Sequence, residues 1–220
     1  MLSHTHRHRV ALACALLLTP LLFSGCDSDR VVGPGSSRPT IVDFDGSDQI
    51  TSPGETLPVP LSIVVTDADG PVEDVAVTWS AQEGTLTGDS QTNSSGIANA
   101  TWTLGAGTAR RFAVASGQIA GSSVNFVAFV VPADDVVVQV QDDAFVPSSV
   151  TVNRGTTVTW IWPTTATAHN IEPIGGSVLP NRSGDPVDGP FLYSQEFPFS
   201  GLFNYQCVAH GVQGTISAGP

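Results

Sequence analysis

The chain has 220 residues, is 41% apolar and 13% charged, and carries a formal charge of −12, with arginine at all eight basic positions. That length allows one large or two ordinary domains, and the apolar fraction can fill a core, which excludes a disordered chain. The acidic balance excludes a nucleic-acid-binding face, which needs basic residues.

In chain order, residues 1–25 read as a targeting segment. Arg7 and Arg9 mark a basic start, and Val10–Phe23 is apolar but broken at Thr19-Pro20 and too short to span a bilayer. The run closes on Ser24-Gly25-Cys26. Small residues before a cysteine resemble a bacterial lipoprotein signal, although Phe23 stands where that signal usually has an aliphatic residue. The resemblance implies export and lipidation of Cys26, with the mature chain held on a bacterial membrane and facing the periplasm or cell exterior. Cleavage removes Arg7 and Arg9 and no acid, which moves the formal charge to −14. Residues 26–39 are rich in Gly, Pro and Ser, show no apolar period, and read as a flexible tether.

Residues 40–131 read as an all-β domain. Leu61-Ser-Ile63-Val-Val65 leads into the turn signal Asp67-Ala-Asp-Gly70. Val75, Val77 and Trp79 then alternate with polar partners, as do Ala98, Ala100, Trp102 and Leu104, Phe112 and Val114, and Val124, Phe126 and Ala128. Short period-2 runs between Gly, Asn, Ser and Asp turns indicate a sandwich. The strand before Thr66-Asp-Ala-Asp-Gly-Pro71, the run to Trp79, and Thr92-Asn-Ser-Ser-Gly-Ile-Ala98 resemble bacterial immunoglobulin-like domains of the invasin/intimin type, which implies a spacer or stalk. Asp67, Asp69, Glu73 and Asp74 are candidate calcium ligands, although scattered turn acids are usually solvated. Pro132-Ala133-Asp134-Asp135 is a short join that restricts the angle between this domain and the next.

Residues 135–220 read as a second β-domain. Val136, Val138 and Val140 alternate; Val150 and Val152 precede a turn at Gly155; Val158, Trp160 and Trp162 share a face. A strand carrying His169 is expected next, then a Gly/Pro/Ser-rich loop, then strands at Phe191–Phe197, Leu202–Cys207 and Thr215–Ser217. Phe203, Tyr205 and Cys207 share one parity, so a thiol ends a buried aromatic stripe, and His210 follows three residues later. Cys207 is the one cysteine beyond Cys14 and Cys26, so no disulfide within the body of the chain is available to it. One thiolate and two imidazoles, Cys207, His169 and His210, are the ligand set of a blue-copper electron-transfer centre. The same three residues could hold zinc with an open fourth position, with Glu172 or Glu196 as the nearest candidate bases.

The order Val152, Gly155, Val158, Trp160, then Ala168-His169-Asn170, then Phe203, Tyr205, Cys207, His210, then Gly214-Thr215-Ile216 resembles the cupredoxin family of the plastocyanin/amicyanin kind. The resemblance implies a Greek-key β-sandwich with one type 1 copper ion bound by His169, Cys207 and His210. It makes Asn170 a tie between the ligand segments. The family's axial Met has no counterpart, since the chain's one methionine is Met1. Gln213 could supply an axial oxygen and lower the potential; alternatively Val212 fills that slot, leaving three ligands and a raised potential. Valine has no donor atom, so Gln213 is favoured.

The expectation is therefore an all-β chain, an Ig-like sandwich followed by a cupredoxin sandwich. Its expected function is that of a membrane-tethered, extracytoplasmic one-electron carrier and not an enzyme. Redox partners would dock near His210, where Ala209, Gly211 and Val212 offer an apolar rim. Copper sequestration or delivery through the same ligands is one alternative, and a surface adhesion or spacer protein with a structural cupredoxin fold is another.

Overall fold

The computed structural model describes residues 38–220. The expected signal peptide, nearly all of the tether, and Cys26 lie outside the described residues. Every regular element among the described residues is a strand.

The first part is built from β1 (Thr40–Asp45), β2 (Gln49–Thr51), β3 (Leu61–Asp67), β4 (Gly70–Pro71), β5 (Thr78–Ala81), β6 (Thr85–Gly88), β7 (Ile97–Thr103), β8 (Arg111–Ile119) and β9 (Ser122–Val130). These form two sheets: β1-β3-β7-β6 with β4 beside β3, and β2-β9-β8-β5. Leu61, Ile63, Val65, Trp102, Phe126 and Val130 are fully buried in one cluster shared by both sheets. The period-2 pattern of β7 lands as expected, with Ala98, Ala100 and Trp102 inward. On β8 the smaller residues point inward. Ala113 and Ala115 face this core, while Phe112 is exposed and Val114 packs in a separate cluster. Val114 belongs to the cluster that joins this part to the next.

The second part is built from β10 (Val136–Gln141), β11 (Ala144–Val146), β12 (Ser149–Asn153), β13 (Thr157–Trp162), β14 (Glu172–Pro173), β15 (Phe191–Glu196), β16 (Gly201–Gln206) and β17 (Gln213–Gly219). One sheet runs β11-β10-β13-β15 and the other β12-β17-β16-β14, with β10/β13 and β12/β17 parallel. Between them lie Val158, Trp160, Trp162, Phe197, Tyr205 and Cys207, all fully buried. The Tyr205 ring sits 4.8 Å from Phe145 and 5.3 Å from Trp160, centroid to centroid. Gly214 makes room for it: a Cβ there would come within 2.3 Å of the ring.

His169 does not lie in a strand. It makes a single bridge to Val187 inside a loop, with Ala168 at φ 56° just before it. That left-handed backbone ends any extended run, which a reading of side-chain types alone does not register.

β13 departs from simple alternation because both of its faces are covered; Val158 to Trp162 are all buried. Ile161 joins Val127, Phe129 and Val131 in a cluster with Ile50, Val114, Val137 and Leu192 around it, which joins the first sandwich to the second. Each fully buried Phe or Ile in such a seam contributes about 1.5–3 kcal/mol. Beside it the Asp135 carboxylate, 1% exposed, pairs with the Arg110 guanidinium and accepts from the Thr159 hydroxyl at 2.5 Å. Thr159 also meets Ser194 at 2.8 Å. The short join is thus bonded on both sides.

Candidate metal centre

β16 delivers Cys207 to the end of its aromatic stripe, one residue past the strand. The chain then closes on itself: Gly211 N–H donates to the Cys207 carbonyl and Cys207 N–H to the Val212 carbonyl, both at 2.9 Å. Gly211 at φ 69° makes that short return possible. His210 sits at its apex, exposed, with Nδ1 3.7 Å from Cys207 Sγ.

His169 reaches the same point from the β13–β14 connection. It is fully buried. Its backbone pairs with Val187 in both directions, at 3.0 and 2.9 Å, and its carbonyl also accepts from the Trp162 indole at 3.2 Å. Its Nε2 lies 3.1 Å from Asp142 Oδ1. A carboxylate accepts, so Nε2 carries the proton and Nδ1 is left as a bare lone pair. That Nδ1 is buried and has no hydrogen-bond partner. Desolvation pushes the His169 pKa down and His210 adds to this, while Asp142 opposes it. The neutral imidazole, the form that can ligate, is therefore favoured.

The loop before His169 has amides that no strand pairs, and such groups need other acceptors. Carboxylates take them. Thr164 N–H and hydroxyl donate to Asp48 at 3.0 and 2.5 Å, Thr167 N–H to Asp142 at 2.8 Å, and Ala168 N–H to Asp188 at 2.8 Å. These hydrogen bonds hold the Asp142 carboxyl below its usual range, the Thr167 amide contributing most and His169 next.

Asn170 is buried and bridges outward from His169. Its Oδ1 accepts from Val208 N–H at 3.0 Å and its Nδ2 donates to the Gly184 carbonyl at 3.1 Å. It thereby joins the segment of one histidine to the segment of the cysteine.

Among the described residues, His169, Cys207 and His210 form the one group of this kind, their donor atoms all within 4.8 Å of one another. The two imidazole rings lie 4.2 Å apart. Typical metal bonds of about 2.3 Å to sulfur and 2.0 Å to nitrogen separate two donors by roughly 3.5–3.7 Å at angles of ~110–120°. The observed Sγ–Nδ1 separation of 3.7 Å fits this. The orphaned Nδ1 of His169 is the group such an ion would satisfy.

Gln213 is exposed at the start of β17, where Gly214, Ile216 and Ala218 alternate inward. Val212 is half-buried and packs on the cluster that contains Cys207. Of the two candidates for the fourth position, Val212 is the one packed on that cluster, and Gln213 is the exposed one. The Ala168 carbonyl oxygen is also close, 3.8 Å from Sγ. None of the acids named as a candidate base or calcium ligand belongs to that group: Glu172 pairs with Arg182 at 2.7 Å, Glu196 is exposed, and the Asp67 carboxylate caps its own turn through Asp69 N–H at 2.9 Å. Sequence reading missed Asp48, Asp142 and Asp188, since no local pattern links an acid to an amide across a fold.

No family model matches the chain. Halocyanin of Natronomonas pharaonis is 35% identical over 75 residues, a stretch covering 34% of this chain and 46% of that protein, so the match spans less than half of the relative. Among solved structures, an oxidised amicyanin variant is 26% identical with a TM-score of 0.36, covering 40% of this chain and 86% of that one. Pseudoazurin from Hyphomicrobium denitrificans is 21% identical at 0.33, covering 39% and 75%. A purple cupredoxin from Nitrosopumilus maritimus is 22% identical at 0.35, covering 39% and 100%.

Proposed function

We propose that this chain is an extracytoplasmic, one-electron carrier with a single type 1 copper ion held by His169, Cys207 and His210. The observation that carries the reading is the buried, unpartnered Nδ1 of His169 within reach of Cys207 Sγ and His210 Nδ1. The halocyanin relative supports it. Copper, when bound, supplies a one-electron change that thiolate and imidazole both tolerate. The chain's residues fix the donor positions: Asp142 sets the tautomer and orientation of His169, Asn170 ties its segment to that of Cys207, and the closed loop holds His210 beside the thiol. Donors held in place before the ion arrives move little between oxidation states, which favours fast transfer. Val212 lies beside the fourth position in this reading, in place of the Gln213 oxygen.

His210 is exposed, with Ala209 and Gly211 exposed beside it and Val208 47% exposed, which suits transient docking of a redox partner there. Residues 135–220 are assigned as a cupredoxin domain and residues 40–131 as an Ig-like domain standing it off the membrane, anchored through a lipid on Cys26. On this reading the chain is not an enzyme. The test is cupric titration of the purified chain: an intense visible band at one equivalent, lost in Cys207→Ser, with rapid stopped-flow electron exchange. A colourless titration overturns the reading. Colour with rapid metal exchange and slow electron exchange indicates copper delivery instead.

A further inference from the structure

We propose that the first sandwich is a working part of the metal centre, through Asp48 as a positioning residue for the His169 loop. The inference rests on the copper reading for its consequence, though its structural part stands without metal. Asp48 lies 116 residues before Thr164, yet it accepts both the amide and the hydroxyl of that threonine. Thr164 follows Pro163 at the exit from β13, where the chain leaves the sheet to become the ligand loop. From there to His169 the loop's own backbone bonds are few: Ala166 N–H to the Pro163 carbonyl at 3.0 Å, and Gly189 N–H to the Ala166 carbonyl at 2.9 Å. Asp142 and Asp188 hold the far end. Asp48 holds the near one.

The carboxylate is itself fixed. Asp48 N–H donates to the Val127 carbonyl at 2.7 Å, and Ser47 Oγ accepts from Val127 N–H at 3.1 Å. Gln49 brackets the turn through its side chain, donating to the Gly46 and Val59 carbonyls at 2.7 and 2.8 Å. Behind it the Phe129–Ile161 seam and the Arg110–Asp135–Thr159 bonds join the sandwiches, so the bracket keeps its distance from the loop. A domain that served only to extend the tether would have no need to bond a ligand loop.

The test uses the full chain. Asp48 has φ 58°, so glycine removes the carboxylate without straining the backbone, and asparagine keeps an acceptor for the Thr164 amide. In copper-free Asp48→Gly, hydrogen exchange should quicken across residues 164–169 while β16 and β17 keep their protection. In the copper-loaded variant, loss of metal to a chelator should be about 3- to 10-fold faster, below the ~10–100-fold that direct partners of metal ligands contribute, since Asp48 acts one step further out. Asp48→Asn should restore most of both. Thr164→Ala, which keeps the amide bond, should fall between. Unchanged exchange at 164–169 in Asp48→Gly, or equal acceleration throughout the chain, overturns the proposal. If the wild type takes up no copper, the metal reading fails and the exchange measurement still decides the role of Asp48.

Discussion

Replacing Asn170 with alanine should separate the two segments that carry the proposed ligands. Asn170 is 1% exposed and makes two hydrogen bonds, to Val208 N–H and the Gly184 carbonyl. Each is worth about 1 kcal/mol net, with a further ~1–3 kcal/mol where the abandoned partner stays dry. Val208 and Gly184 are both exposed residues, so water can reach what is left behind and the low end applies. The copper-free variant should therefore lose about 2 kcal/mol in denaturant unfolding, and the copper-loaded one should lose roughly tenfold in metal affinity as well. Asn170→Asp sharpens the case. It keeps the acceptor for Val208 but aims an oxygen at the Gly184 carbonyl and buries a charge, so it should be less stable than alanine. An aspartate variant as stable as the wild type, or an alanine variant within about 0.5 kcal/mol of it, would refute the reasoning.

Further outcomes follow from other parts of the molecule. Burial pushes the Tyr205 hydroxyl up to about 12, the nearby Trp160 indole offsetting this in part. The unfolded chain releases that proton near pH ~10, so stability is intact below that pH and falls by up to about 3 kcal/mol between ~10 and ~12. Tyrosinate absorbance beside unfolding at increasing pH checks this, and a full native phenolate step near ~10 contradicts it. Asp135→Ala strands an Arg110 side chain that is 33% exposed and should cost about 2–4 kcal/mol by denaturant unfolding, less than a fully buried pair would. Gln213→Leu should leave the reduction potential of the copper form where it is, whereas Val212→Met should move it. Voltammetry of both variants decides, and a shift in Gln213→Leu returns that amide to the metal.

What was legible in the sequence is what alternation and local spacing encode. Val158, Trp160 and Trp162 share a buried face, and Phe203 and Tyr205 lead to a buried thiol. The second burial of β13 was also written there, since Val-Thr-Trp-Ile-Trp is nearly continuous rather than alternating, the mark of a strand covered on both sides. The alternation of Phe112 and Val114 marks two faces of β8 and not which of them is inside; the small Ala113 and Ala115 face the core, while Phe112 is exposed and Val114 packs in a separate cluster. Residue types alone lead to a strand at His169 because they do not reveal a left-handed Ala168. The partners of the loop were illegible for a different reason: Asp48, Asp142 and Asp188 lie 116, 25 and 20 residues from the amides they accept, and a one-dimensional pattern carries no such pairing.

Those three aspartates also change what the acidic composition means. Read as net charge, they belong to solubility and partner choice. In the fold they act one by one, each accepting the amide of a loop that has no neighbouring strand. The two roles respond differently to salt. A repulsive or steering field is screened within roughly 10 Å at 0.1 M ionic strength and 3 Å at 1 M, whereas hydrogen bonds of 2.5–3.0 Å are no longer than either length and leave no room for an ion between the partners. Raising salt from ~0.1 M to ~1 M should therefore slow association with a basic redox partner, whose attraction to this acidic chain is screened, while leaving hydrogen exchange at residues 164–169 and the rate of copper loss unchanged. Salt-induced loosening of that loop would mean that the carboxylates hold it by general field and not by directed bonds. The predicted difference between glycine and asparagine at position 48 would then disappear into a simple charge effect, since both remove the same negative charge.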